Sequence, residues 1–230
     1  MRDKIKTIDY FDRYIEEELD DIRFYEESLD SGKTKMERVD AVKKQIFLKK
    51  YSIVMAMYSK GDSVESVREE FLELLHGEIV ISDLNNRYVQ FLWLLSLGIL
   101  LNVDDFLLDR LLLLVRRDGL NDKLINFLIK SRNPEWDVVA NSYLHPIPYR
   151  TFDQILYVDK LSATEGLKQY LEKSWYKGHD DCGWHDGHKS KQNIYSGYWS
   201  FESAAIVKIL NLDDSDFKDN KYYPHDLSCF

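Results

Sequence analysis

The segment Tyr88 to Leu101, YVQFLWLLSLGILL, constrains this chain more than any other. At helical spacing it is apolar nearly all round, so a helix made from it offers no face to water and belongs at the centre of a fold. It is only about two thirds of the length needed to span a bilayer, and Asp104 and Asp105 follow at once. A buried helix is therefore expected over 84–101, and no membrane partner.

Its neighbours supply the covering helices. Ile8, Phe11, Ile15, Ile22, Tyr25 and Leu29 recur at spacings of three, four and seven, which predicts a long amphipathic helix over residues 4–29. Its outer face carries Glu16, Glu17, Asp20, Asp21, Glu26 and Glu27. A second helix is expected over 35–60, ending at Gly61, and a third over 64–75, capped through Asp62 and Glu65 and stopped at Gly77. After the central helix, Asn102 or Asp104 can cap the segment FLLDRLLLLVRR, followed by a helix over 120–130 and a short one over 135–142.

His145-Pro-Ile-Pro148 forces extended backbone, because each proline fixes its own φ and pushes the preceding residue out of the helical region. The expected boundary falls here, between an N-terminal helical domain (1–144) and a C-terminal helical domain (145–230). Beyond it, Ser162 and Glu165 open a helix reaching Trp175, residues 177–197 form a long loop, and Ser200 caps a helix over 201–210 with Glu202 in its first turn. No segment alternates as a strand and no solenoid repeat occurs. The predicted fold is all-α: a multi-helix bundle of antiparallel helices in two packed helical subdomains.

The 230 residues carry 31 basic and 40 acidic side chains, a net charge of −9, which disfavours wrapping nucleic-acid phosphates and suits a basic partner. Cys182 and Cys229 are too few for a disulfide framework, and the N-terminus has no secretory pattern, so a cytoplasmic protein is expected. A homo-oligomer stays open, since apolar helices can face a core or a second subunit.

Residues 178–188, GHDDCGWHDGH, bring together the residue types of a metal or nuclease centre: His179, Cys182, His185 and His188 at intervals of three, with Asp180, Asp181 and Asp186 between them. A structural zinc site usually takes two ligands from each of two separated motifs, and four residues spaced by three fan across half a helix. The preferred reading is a polar, glycine-hinged surface loop whose His and Asp residues meet solvent or a partner; the alternative is a metal-dependent hydrolase or nuclease using residues 179–188. No G-x-S-x-G elbow, phosphate loop or dinucleotide fingerprint occurs. Trp199 and Phe201 read as the packed start of a buried helix, whereas Tyr195 and Tyr198 suit core or interface equally.

The run Tyr195-Ser-Gly-Tyr-Trp-Ser-Phe-Glu-Ser-Ala-Ala-Ile-Val-Lys-Ile-Leu210, then Leu212-Asp-Asp-Ser and Tyr222-Tyr-Pro-His-Asp-Leu227, resembles the C-terminal domain of PoNi-type immunity proteins. These bacterial proteins bind and neutralise PoNe-type DNase toxins. Arg2-Asp-Lys and Asp9-Tyr-Phe-Asp-Arg-Tyr-Ile15 look like the start of the helical N-terminal domain of the same proteins. Trp175-Tyr176, Trp184, Asp186 and His188-Lys189 also fit the family pattern; His179 and Cys182 lie outside it, and His225 stands where the tail commonly has Tyr. The resemblance implies a binding protein without catalysis, cofactor or metal, whose partner is a cognate DNase toxin. Candidate contacts are Glu16, Glu17, Asp20, Asp180, Asp181, Asp186, Asp213, Asp214 and Asp216, with Tyr195 and Tyr198.

Overall fold

The computed structural model describes residues 1–81 and 83–230. Among the described residues the regular structure is helical, with no β-strand. The helices are α1 (Ile8–Asp30), α2 (Val39–Lys60), α3 (Val64–His76), α4 (Tyr88–Leu100), α5 (Asp105–Asp118), α6 (Lys123–Arg132), α7 (Pro146–Tyr149), α8 (Lys160–Gln169), α9 (Phe201–Leu210) and α10 (His225–Ser228). The all-α expectation therefore holds. By contacts the chain forms two compact units, each discontinuous in sequence: Met1–Ile81 with Asp186–Tyr198, and Ser82–His185 with Trp199–Phe230.

Half of the helix starts follow from short polar caps, which satisfy the N–H groups that a first helical turn leaves without partners. The side chains of Thr7, Ser63, Asp104 and Asp159 accept from the backbone N–H of Tyr10, Ser66, Leu107 and Ser162. Ser63 rather than Asp62 thus caps α3, and Asp159 rather than Ser162 caps α8. Ser200 holds the cap position of α9 but turns its hydroxyl inward. Gly61 closes α2 at φ +105°, and a Cβ there would lie 2.8 Å from the Met1 backbone, so both conformation and space call for glycine.

In the first unit α1 packs on α2, and α2 on α3. Lys60 pairs with Asp12 at 3.1 Å, and Lys49 with Glu18 at 3.0 Å and Asp21 at 2.7 Å. One partner's number rises as the other's falls, which is the register of antiparallel helices. Phe11, Tyr14, Phe47, Tyr51, Phe71 and Leu75 fill the interior. Arg2 ties down the N-terminus by donating to the carbonyls of Tyr58 (3.1 Å) and Asp62 (2.7 Å).

In the second unit α4 is central: every residue from Phe91 to Leu100 is buried, and α5, α6 and α9 pack against the helix. The lone hydroxyl in this run, Ser96, donates back to the Leu92 carbonyl at 2.7 Å. The helix expected over 135–142 does not form. Its backbone groups bond to the start of α6 instead: Asn126 Nδ2 donates to the Val138 carbonyl at 3.3 Å, and the Ser142 carbonyl accepts from Lys123 N at 3.0 Å. Both residues that precede a proline, His145 and Ile147, are extended as expected, Ile147 within the one-turn α7 and followed by a cis Ile147–Pro148 peptide.

Asp122 joins three segments of this unit. Fully buried, its Oδ1 accepts from Leu124 N (2.9 Å), Ile125 N (3.0 Å) and Tyr88 OH (2.9 Å), and its Oδ2 accepts from Leu144 N (2.7 Å). Asp122→Ala strands all four donors, and a loss of about 3 kcal/mol or more is expected in urea unfolding. Asp122→Asn keeps Oδ1 but sets an amide group against the Leu144 N–H, and should lose about 1–3 kcal/mol. Equal midpoints for both variants and the parent would remove Asp122 from this role.

Candidate functional site

The histidine-rich loop begins where α8 passes into a π-helical turn, Tyr170–Ser174, and then Trp175. Trp175 is fully buried; Trp93 and Trp184 lie at ring distances of 6.2 and 5.6 Å from it, and Tyr176 stacks on Tyr222 at 5.2 Å. Gly178 allows the chain to continue across Pro148, since a Cβ there would meet the proline ring at 2.6 Å. His179, expected to face solvent, is instead only 1% exposed. Its Nδ1 lies 2.6 Å from the Trp175 carbonyl, which can only accept, so Nδ1 carries the proton. Nε2 then accepts from Tyr149 OH at 2.8 Å.

Both His179 nitrogens are thus engaged within the fold, and the ring is held neutral: burial, opposed by the hydrogen bond to Trp175, lowers its pKa to about 4. The Cys182 thiol is pushed up to about 12 by burial and by Asp181, an environment that disfavours thiolate. His185 rests against the Tyr176 ring at 4.2 Å. His188 belongs to the first unit, where its Nδ1 lies 2.8 Å from Tyr198 OH. The four spaced residues therefore supply packing and internal hydrogen bonds, not one shared ligand set.

The aromatic motif that follows is likewise built inward. Tyr195, 2% exposed, donates its hydroxyl to Asp3 and its backbone N–H to Tyr10 OH at 3.0 Å; Tyr198 is 3% exposed and its hydroxyl meets His188. Asp3 in turn accepts from the backbone of Ile5 and Lys6, both at 2.8 Å, which gives the Arg2-Asp-Lys start a structural task. In the second unit Glu202 is fully buried, accepting from Tyr170 OH at 2.9 Å and Ser200 Oγ at 2.7 Å. Burial raises its carboxyl pKa above the ordinary range.

The remaining candidates sort by exposure. Glu16, Glu17 and Asp20 are exposed on α1, with Glu17 accepting from Asn193 at 3.0 Å and Asp20 bonded to Arg23. Asp180 and Asp181 are exposed on the loop, while Asp186, half-buried in the first unit, pairs with Lys189 at 2.8 Å. Asp213 and Asp216 are exposed; Asp214 is half-buried and accepts from Tyr223 OH, His225 and Ser228. Beside the loop a cleft of about 270 Å³ is floored by Tyr88, Tyr149 and His179 and rimmed by Arg87, Asp181 and Trp184. The sequence carried no signal for this cleft or for the pairing of His179 with Tyr149.

Fold and site together define an all-α protein of two helical units, whose motif residues are internal and whose acidic side chains mostly face outward. Two family models match it: "PoNe immunity protein (PoNi), N-terminal" over residues 2–113, and "PoNe immunity proteins (PoNi), C-terminal" over residues 120–227. The chain belongs to the PoNi family of immunity proteins. Among solved structures it is similar to that titled "The Crystal Structure of Protein PA2201 from Pseudomonas aeruginosa". The TM-score is 0.73 and the identity 14%, over 99% of this chain and 89% of the other, which is a likeness of fold. No match is found among curated proteins. No helix among the described residues is long and apolar enough to cross a membrane.

The buried His179 makes stability depend on pH. The unfolded chain takes up a proton on this ring as pH falls through about 6.5, whereas the folded chain resists until about 4. Stability is therefore lost as pH falls across that window, by up to about 3 kcal/mol from this group. Urea unfolding at several pH values should show a smaller loss for His179→Gln than for the parent. Parallel curves would contradict the assignment.

Proposed function

We propose that this immunity protein acts on a DNase toxin, in the cytoplasm, by binding without catalysis and without a cofactor. Family membership over both halves of the chain supports an immunity role with a toxin protein as partner. The observation that carries the finer reading is the outward placement of Glu16, Glu17, Asp20, Asp180, Asp181, Asp213 and Asp216 on a chain of net charge −9. A DNase holds a polyanion in a basic cleft. A protein that presents carboxylates to such a cleft competes for the same cations, and opposite charge speeds the encounter at low ionic strength. Asp186 and Asp214, partly engaged within the fold, belong to the edge of this proposal, and Tyr195 and Tyr198 support the neighbouring surface from within.

The test uses the purified product of the open reading frame adjacent to this one, expected to encode the toxin. It should form a stable complex with the immunity protein and lose its nuclease activity there. Asp180→Lys with Asp181→Lys, and separately Glu16→Lys with Glu17→Lys, should show which face binds. The pair at the interface should slow association, flatten its salt dependence and weaken Kd by about tenfold or more. No complex, or full nuclease activity within the complex, would sink the reading. Inhibition insensitive to both salt and both charge reversals would remove its electrostatic basis.

A further inference from the structure

We infer that Asp214, His225 and Cys229 form a site for a thiophilic divalent cation of the zinc class, held by His225 Nε2 and Cys229 Sγ and oriented by Asp214. One oxygen, nitrogen or sulfur atom from each of the three residues lies within 4.8 Å of those of the other two. The site lies in the second unit and shares no residue with the 179–188 loop that carries the zinc-like residue spacing.

Three observations support it. His225 opens α10 and Cys229 follows its last residue, so the two stand four residues apart and project from the same side of one helical turn. Asp214 Oδ2 lies 2.7 Å from His225 Nδ1, and Tyr223 OH (2.8 Å) and Ser228 Oγ (3.1 Å) steady the same oxygen. The carboxylate thereby places the imidazole proton on Nδ1 and leaves the Nε2 lone pair available, as carboxylate–histidine pairs do behind metal ions. Finally, Cys229 Sγ lies 3.8 Å from Nε2. Ligands at about 2.1 Å (nitrogen) and 2.3 Å (sulfur) from a tetrahedral zinc ion stand roughly 3.6 Å apart.

The sulfur is also 3.9 Å from Nδ1, so a turn of the exposed Cys229 side chain is needed to bring it onto the Nε2 axis. Imidazole plus thiolate selects zinc-class ions over magnesium or calcium, which take oxygen ligands. On binding, the thiol proton passes to solvent and sulfur donates the freed pair to the metal. Water fills the outer positions, which this exposed end of the chain admits. The same contacts without a metal would simply anchor the tail, and the experiment separates the two.

The full-length protein is titrated with Zn²⁺ against a chromophoric chelator, and its Co²⁺ complex is examined for a thiolate-to-metal charge-transfer band. One equivalent per chain and a charge-transfer band are expected. Binding should weaken at least about tenfold in Cys229→Ser, His225→Gln and Asp214→Asn, the last within the range that loss of an orienting carboxylate produces. Cys182→Ser should bind as the parent does. The assignment is overturned by absence of stoichiometric binding, by binding that survives Cys229→Ser without a cobalt–thiolate band, or by binding lost in Cys182→Ser.

Discussion

The second unit depends on one buried carboxylate more than on any single apolar contact. Packing around α4 is non-directional: a helix buried on every side could slide or rotate against its neighbours with little change in the area removed from water. Asp122 removes that freedom. Its two oxygens satisfy the first N–H groups of α6, the hydroxyl of Tyr88 at the start of α4, and the backbone at Leu144, so three segments share one set of directional bonds. A buried polar group is tolerated only when its bonding is complete, and here completeness fixes one arrangement.

Much of this architecture was legible because helical periodicity survives in isolated segments. The stripe from Ile8 to Leu29 predicted α1 to within a few residues, and the all-round apolar run at 84–101 announced α4 as central. What escaped were features whose partners are distant in sequence. Residues 135–142, EWDVVANS, mix apolar and polar side chains as a short helix would, but their backbone bonds go to Asn126 and Lys123. The compact units interleave the chain at 185/186 and 198/199, where the backbone shows no proline or change of composition to mark a boundary. Local patterns report local preference, whereas unit membership is decided by which faces meet.

The 178–188 loop shows the same distinction in its chemistry. Side-chain types alone made it look like a ligand set or a solvated acidic loop, and both readings assumed that histidine in a glycine-rich loop faces water. His179 instead fills a core position, because the Trp175 carbonyl and the Tyr149 hydroxyl satisfy both ring nitrogens and so cancel most of the cost of burying it. The aspartates beside it stayed outside, where no internal donor could repay their desolvation.

That division bears on how such a protein acquires a particular partner. Of the motif residues from Tyr195 through Trp199 to Glu202, all but Ser196 are buried, Gly197 among them at φ +122°. Buried residues fix the fold and cannot touch a partner without unfolding part of it. On the reading proposed above, recognition falls to exposed side chains such as Asp180 and Asp181, whose replacement leaves the core unchanged and costs little stability. On that reading the buried residues of the motif and the exposed carboxylates do separate work, with Asp213 belonging both to the matching run and to the outward-facing set.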